Sequence, residues 1–486
     1  MPAIITNKFR HNNAEQFTDS FSSDAYYLGI GRPQPYGTLT RGDLRTTNEG
    51  VDTGPLSPVD SIADEYYYYD DMLAAKKVNS SDLSYVVPRR NWTSGTVYDY
   101  YRHDYGNRIT GTTTTQSANS GATNLWDATF YVVTDDFNVY KCLDNNSNAT
   151  STVKPTGTSS SILATADGYK WKYMYSLTAT QQINFLSTDF MAVETNATVS
   201  AAATDGAINI VKIKEGGTGG TDGTHTGIAI KGDGSSGTVS VTISGGTITS
   251  LTVTNAGSGY TYAYIRVADI NTAGGGSLTG AELDCIIEPK GGHGFNAVRE
   301  LGAYYVMLNV NFEGDETSNT GDFTTSNDFR RIMLIKNPKS SGSIASTATL
   351  RGMKAVTFAS SPSPGTFTVD EEINQATTGA VGKVVEWDST NRILYYIQTR
   401  FNDHGIDSAA NLTAFSGANV ITGQSSSATG TPDTSVTSTV DDVVFVSGYA
   451  TAEIDEDEGD VIYVENRAPI TRASDQTENV KLIIEF

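Results

Sequence analysis

The chain has 486 residues, enough for a substantial core spread over more than one domain. Its 33 Lys and Arg stand against 55 Asp and Glu, a net charge of −22 that opposes the phosphate field of nucleic acid and of anionic membrane surfaces, so no direct nucleic-acid partner is expected. With only Cys142 and Cys285 there is neither a disulfide framework nor a cysteine-based zinc spacing, and no stretch approaches the roughly 18 apolar residues that span a bilayer. Membrane insertion is therefore not expected. The opening residues lack the apolar segment of a secretory signal, which suits synthesis in the cytoplasm.

The 26 Tyr and 47 Gly, with abundant Thr and Ser, predict a mainly β protein with minor α structure and many tight turns. A helix is predicted over about residues 59–78, where Ile62, Tyr66, Tyr69 and Leu73 recur at three- and four-residue steps and Lys76 and Lys77 follow. Its run Tyr66, Tyr67, Tyr68 and Tyr69 places aromatic surface on several faces, one for core and another for contact. Arg89, Arg90 and Trp92, after Pro88, form the sharpest polar cluster: two guanidiniums beside an indole suit ion pairs or stacking at an interface, or a salt bridge inside one domain.

Between residues 206 and 294 the texture changes, since 21 of the 47 glycines fall there. Val239, Val241 and Ile243 alternate with Ser240, Thr242 and Ser244, and Gly245-Gly246 leads into Ile248, Leu251 and Val253, the pattern of a β-hairpin with a two-residue loop. A further strand is predicted from Tyr260 to Val267. Tyr304–Val310 and Phe329–Ile335 also read as strands. Residues 351–437 carry an internal repeat at an offset of 48: Phe367, Ile373, Gly379, Ala380 and Gly382 align with Phe415, Ile421, Ser427, Ala428 and Gly430. Two hairpin-based units stacked as a compact barrel or sandwich are expected there.

The acidic run Asp455–Asp460 departs from the spacing of a calcium loop and reads as a solvated loop. The last 26 residues combine two strand patterns, around Val461–Tyr463 and Val480–Phe486, with Glu465, Asn466, Arg467 and Pro469 in the connector, and predict a terminal hairpin. The resulting layout is a discontinuous β platform (residues 1–205, 295–350 and 438–486) with two inserted small β domains (206–294 and 351–437).

No chemistry is concentrated anywhere along the chain. The five histidines are scattered without metal-ligand spacing, and Gly382-Lys383 fails the phosphate-loop pattern at two positions. The expectation is no enzyme activity, no metal and no cofactor.

Seven segments, in order, resemble the baseplate wedge subunits of T4-like contractile-tailed bacteriophages, the gene-eight product family. They are Ile5–Arg10, Gly31–Tyr36, Asp82–Trp92, Val139–Asp144, Asp167–Tyr173, Phe329–Pro338, and Tyr463–Ile470 followed by Asp475–Glu478. The two glycine-rich inserts lie outside the resemblance. The resemblance implies a non-enzymatic, mainly β structural subunit of the virion tail baseplate. Such a subunit forms a homodimer, touches neighbouring wedge and peripheral baseplate proteins, and takes part in tail assembly and contraction inside the host. Arg89, Arg90, Trp92, Tyr66, Tyr67, Tyr68, Glu465, Asn466, Arg467 and Pro469 are the candidate interface or architectural residues. A second reading gives the inserts a receptor- or glycan-binding role on the virion.

Overall fold

The computed structural model describes residues 4–36, 50–51, 54–55, 57–109, 112–315, 322–324, 327–399, 409, 411–469 and 477–486. The chain is mainly β, with many antiparallel sheets and no closed barrel among the described residues. It divides into two compact units. Unit 1 comprises Met1–Glu15, Ser84–Met307 and Ile483–Phe486; unit 2 comprises Gln16–Leu83 and Leu308–Leu482.

Unit 1 is built on a four-stranded sheet in the order Tyr131–Val133, Asn138–Asp144, Lys170–Ser176, Ile162–Ala164. Strand Asn138–Asp144 is buried on both faces: Val139 and Leu143 join one apolar cluster with Met174 and Phe130, while Tyr140 and Cys142 join another with Tyr169, Trp171 and Tyr173. The alternation is the period-2 side-chain geometry of a strand, here with core on each side. Lys141 falls between Tyr140 and Cys142 and is 0% exposed.

The glycine-rich stretch of the same unit forms a long antiparallel pair, Ile210–Gly220 with Gly276–Ile286, and a three-stranded sheet of Gly223–Ala229, Thr238–Ser244 and Thr247–Asn255. The predicted hairpin is present. Ser244 pairs with Thr247 across a Gly245-Gly246 loop whose φ values of 65° and 75° are the left-handed pair that a type I′ turn requires. Val239, Val241 and Ile243 point into a common core with Ile228, Ile248 and Leu278. The predicted strand from Tyr260 to Val267 is shorter in the structure, a bridge at Ala263–Tyr264 that gives way to a helical turn at Val267–Ile270.

Unit 2 holds a five-stranded sheet in the order Thr349–Arg351, Met72–Val78, Tyr26–Gly31, Arg331–Lys336, Asp460–Asn466. All six residues of Tyr26–Gly31 are buried, as a central strand demands. Gly31 is needed where it stands, since a Cβ there would lie 2.9 Å from the Asp71 carbonyl oxygen. The predicted helix of residues 59–78 is corrected: the helix runs only from Ile62 to Asp70, and Met72–Val78 is a strand paired with Tyr26–Gly31. The apolar run Met72, Leu73, Ala74, Ala75 is buried on both faces between two neighbouring strands, so sheet pairing overrides a spacing compatible with a helix. A second helix, Asn7–Ser20, was not anticipated; it buries only His11 and Ala14 and so leaves little apolar periodicity to read.

The predicted terminal hairpin is also corrected. Asp460–Asn466 pairs with Arg331–Lys336, whereas Glu478–Glu485 lies in a different sheet beside Tyr305–Phe312. The last residues are nonetheless held: the Phe486 N–H donates to the Tyr304 carbonyl at 3.2 Å and Glu485 meets Arg10 at 2.9 Å.

The internal repeat occupies an open seven-stranded sheet rather than a barrel or sandwich, in the order Thr429–Gly430, Ile421–Gly423, Glu372–Gln375, Ala380–Asp388, Ile393–Ile397, Lys354–Thr357, Tyr449–Ala450. Ile373 pairs with Gly382 and Ile421 with Gly430, so matching residues of the two copies occupy matching register positions. The copies meet edge to edge where Asn374 pairs with Thr422, residues themselves 48 apart, which puts a local pseudo-twofold axis through that pair. Phe367, Phe415, Ile373, Ile421, Ala380 and Ala428 share one core.

Candidate interface and architectural sites

In unit 2 the segments singled out in the sequence converge on a buried ion pair. Arg331 opens a strand and Asp71 sits at the turn between the tyrosine helix and the next strand; each is 1% exposed, with Nη1 to Oδ1 at 2.5 Å. The Arg331 guanidinium also donates from Nε to Asn466 Oδ1 at 3.2 Å and stacks over the Tyr68 ring at 4.7 Å. Arg32 lies over the Tyr36 ring at 4.3 Å, and its N–H donates to the Asp71 carbonyl at 2.9 Å. The Tyr36 hydroxyl donates to the Arg330 carbonyl at 2.7 Å and the Arg467 carbonyl at 3.1 Å. Burial pushes the Asp71 carboxyl above its ordinary range, against the pull of Arg331 and Arg32. Four segments far apart in sequence are thus welded by one charge pair that cannot be broken cheaply.

Unit 1 contains a counterpart that sequence reading missed. Lys141 and Glu300, 0% and 3% exposed at the side chain, meet at 2.6 Å. Glu300 also accepts from the Gly294 N–H at 2.8 Å and the Asn296 N–H at 3.1 Å, and the Lys141 ammonium lies 4.4 Å from the Tyr101 ring centroid. Beside them Glu288 accepts from the His293 N–H at 2.9 Å and from the Asn209 amide, and the His293 ring packs edge-on to Tyr101 at 4.8 Å. Burial lowers the Lys141 ammonium, despite Glu300, and holds His293 well below its ordinary value, with the nearby lysines acting in the same sense. Glu288 is pushed up by burial. Lys141 comes from Val139–Asp144 and Lys172 from Asp167–Tyr173; burial lowers the Lys172 ammonium as well, while Glu288 and Glu300 favour its charge. One signal could have found this node: a lysine inside the apolar run Val-Tyr-Lys-Cys-Leu must either snorkel or find a buried partner.

The predicted residues separate by environment. Arg89 Nη1 donates to the Ser187 carbonyl at 2.9 Å, Arg90 donates to the Ala128 and Trp126 carbonyls and lies over Tyr131 at 4.5 Å, and Trp92 Nε1 donates to Ser151 Oγ at 3.1 Å. These guanidiniums therefore bind backbone carbonyls within unit 1, where the alternative to an interface was an intradomain salt bridge. Tyr68 is buried and donates to the Val59 carbonyl at 2.9 Å, Tyr67 is half-buried, and Tyr66 is exposed. Glu465 accepts from the Tyr463 hydroxyl at 3.0 Å. Glu465 and Arg467 line a groove of about 310 Å³ with Ile332 and residues 479–482, and Arg467 Nε is buried with no hydrogen bond among the described residues. Pro469 is half-buried; Ile470, Asp475 and Gln476 lie outside the described residues. In the acidic loop Asp455 accepts from the Ser341 and Gly342 N–H groups, Glu456 meets Lys354 and Glu458 meets Lys339. The run is spent on separate partners, and no group of three potential metal ligands occurs among the described residues.

Arg89, Arg90, Trp92, Tyr68 and Glu465 all engage partners within their own unit, as fixed parts of a folded β framework do. Residues 3–162 match the family described as Bacteriophage T4, Gp8, a region that takes in the first four of the resembling segments. The baseplate wedge protein gp8 of Enterobacteria phage T4 is 24% identical over 222 residues, which cover 39% of this chain and 60% of that protein. The match therefore spans less than two thirds of that relative. By both comparisons the chain is similar to gp8 baseplate wedge proteins. Among the described residues no helix is long and apolar enough to cross a membrane.

Proposed function

We propose that the chain is a non-enzymatic structural subunit of a phage baseplate wedge. In this reading it forms a homodimer, holds neighbouring wedge and peripheral baseplate proteins in register, and takes part in tail assembly and contraction. The platform of residues 1–205, 295–350 and 438–486 does this work, and the inserts at 206–294 and 351–437 are additions carried upon it. The observation that supports it most is the fate of several charges in the resembling segments: Arg32, Lys141, Lys172, Arg330 and Arg331 are buried, and Lys141 and Arg331 are paired with the buried carboxylates Glu300 and Asp71, which suits a part that must transmit force without yielding.

Contact with neighbours falls to what remains exposed near those segments. Tyr66, Val59 and Ile462 are 39%, 50% and 46% exposed, and a groove of about 330 Å³ runs past Val59, Glu65 and Ile462 along the edge strand Asp460–Asn466. An open sheet edge with exposed apolar side chains is a ready docking line. Light scattering on the purified chain at micromolar concentration should give the mass of a dimer. A monomer that persists when the other wedge proteins are supplied, with no complex on a sizing column, overturns the reading.

A further inference from the structure

The glycine-rich module of unit 1 presents a feature that a wedge platform does not require. Tyr262 and Tyr264 are 56% and 45% exposed, and their rings lie parallel, 11° apart in plane with centroids 6.5 Å apart. Arg266 continues the same alternation with its side chain 55% exposed, while Ala263 and Ile265 turn inward, Ile265 into the module core. Tyr262, Tyr264 and Arg266 therefore form one outward strip on an extended segment. Lys231 stands directly opposite Tyr264 in the paired strand, and its ammonium lies 3.8 Å from Asp269, which Arg266 also approaches at 3.3 Å. One end of the strip is aromatic and the other carries two cations and a carboxylate.

The strip is held rigid from beneath. Asp233 accepts from the Thr261 N–H at 2.9 Å, the Thr261 hydroxyl at 2.5 Å and the Tyr262 N–H at 3.2 Å. Those donations lower its carboxyl to about 2, so the anchor stays ionised at any physiological pH. Tyr260, 2% exposed, donates to the Ile230 carbonyl at 3.0 Å and accepts from the Gly237 N–H at 3.1 Å. Gly232 has no room for a Cβ, which would lie 2.2 Å from the Tyr262 carbonyl oxygen. Preorganisation of this kind lowers the entropic cost of seating a ligand.

We propose that Tyr262, Tyr264, Lys231, Arg266 and Asp269 form a binding strip for a chain of pyranose sugars. The apolar C–H face of a pyranose ring packs on the electron-rich face of tyrosine. Its hydroxyls are met by the ammonium, guanidinium and carboxylate at the far end. Two rings are too little surface for a stable protein partner, which covers about 800 Å² per side. A net charge of −22 disfavours a polyanionic nucleic acid that could otherwise stack on the same rings. The proposal is independent of the baseplate role, because sugar binding is read on the isolated chain and wedge assembly is not.

Saturation-transfer NMR on the full-length protein tests it with maltohexaose, cellohexaose and a linear mannan oligosaccharide as probes. At least one should bind at millimolar concentration, with saturation entering through its axial C–H protons. The double variant Tyr262→Ala, Tyr264→Ala should weaken that binding by about tenfold or more, and Tyr264→Phe should retain it. If the double variant fails to fold, wild-type tyrosine ring shifts on titration serve instead, with those of Tyr262 and Tyr264 moving. The proposal is overturned if none of the three sugars binds, if the double variant binds as tightly as wild type, or if the double substitution instead abolishes self-association.

Discussion

In unit 2 Asp71 leans on the Arg331 guanidinium and leaves its Oδ2 buried without a hydrogen bond among the described residues; in unit 1 Glu300 meets Lys141 and also draws two backbone N–H groups from Gly294 and Asn296. Both carboxylates are nearly dry, so each needs compensation from fixed donors. The compensation is divided differently. Glu300 is cradled by the backbone of a glycine-rich turn, and its lysine is one of several supports. Asp71 relies mainly on the Arg331 guanidinium, with the charge of Arg32 in support, and Arg331 also carries the stacking on Tyr68 and the bond to Asn466. A planar guanidinium with five donors can serve three partners at once where an ammonium serves as a point charge. Arg331 is therefore a single point on which the resembling segments of unit 2 converge, whereas Lys141 and Lys172 bring two of those of unit 1 to a dispersed cluster.

The comparison breaks most readily at Arg331. Arg331→Met should destabilise unit 2 by about 3–5 kcal/mol, the cost of leaving a buried carboxylate unpaired, and hydrogen exchange should show the Met72–Val78 amides losing protection. Lys141→Met should cost less, about 2–3 kcal/mol by chemical denaturation, since the backbone still satisfies Glu300. Equal losses in the two variants would mean that the backbone cradle contributes nothing.

Acid sharpens the contrast by a smaller amount. Burial holds His11, His103 and His293 of unit 1 below their ordinary value of 6.5. The unfolded chain therefore binds their protons first. Their contribution to stability is complete above pH 6.5 and falls as the pH drops below it, by about 1 kcal/mol per group per pH unit. Unit 2 contains only His404, which lies outside the described residues. Glu288, raised by burial, works in the opposite sense, gaining stability as the pH approaches the carboxylate range. The histidine effect is isolated by comparing wild type with His293→Gln between pH 7 and 5.5, where the variant's unit 1 should lose less. Identical slopes would remove His293 from the account.

Legibility followed the distance over which each feature is specified. The Gly245-Gly246 hairpin and the paired copies around Ile373 and Ile421 were readable because turn chemistry and register are local, and a repeat announces itself by its period. The helix of residues 59–78 was overextended because Met72–Val78 satisfies helical spacing as well as a buried strand's continuous burial, and only its two neighbours decide between them. The terminal segments read correctly as strands but wrongly as partners, since pairing over a long connector is not encoded by either strand alone. Arg467 and Asn466 were visible as unusual residues. That Asn466 would meet Arg331, 135 residues away, was not.

The sequence by itself determined the β-rich class, the turns and the duplicated module, because composition, glycine placement and side-chain alternation act on the chain within a few residues. Tertiary structure alone decided which buried charge meets which. Arg331 and Asp71 are separated by 260 residues and Lys141 and Glu300 by 159, and a dry ion pair forms only where folding has already excluded water and fixed both partners.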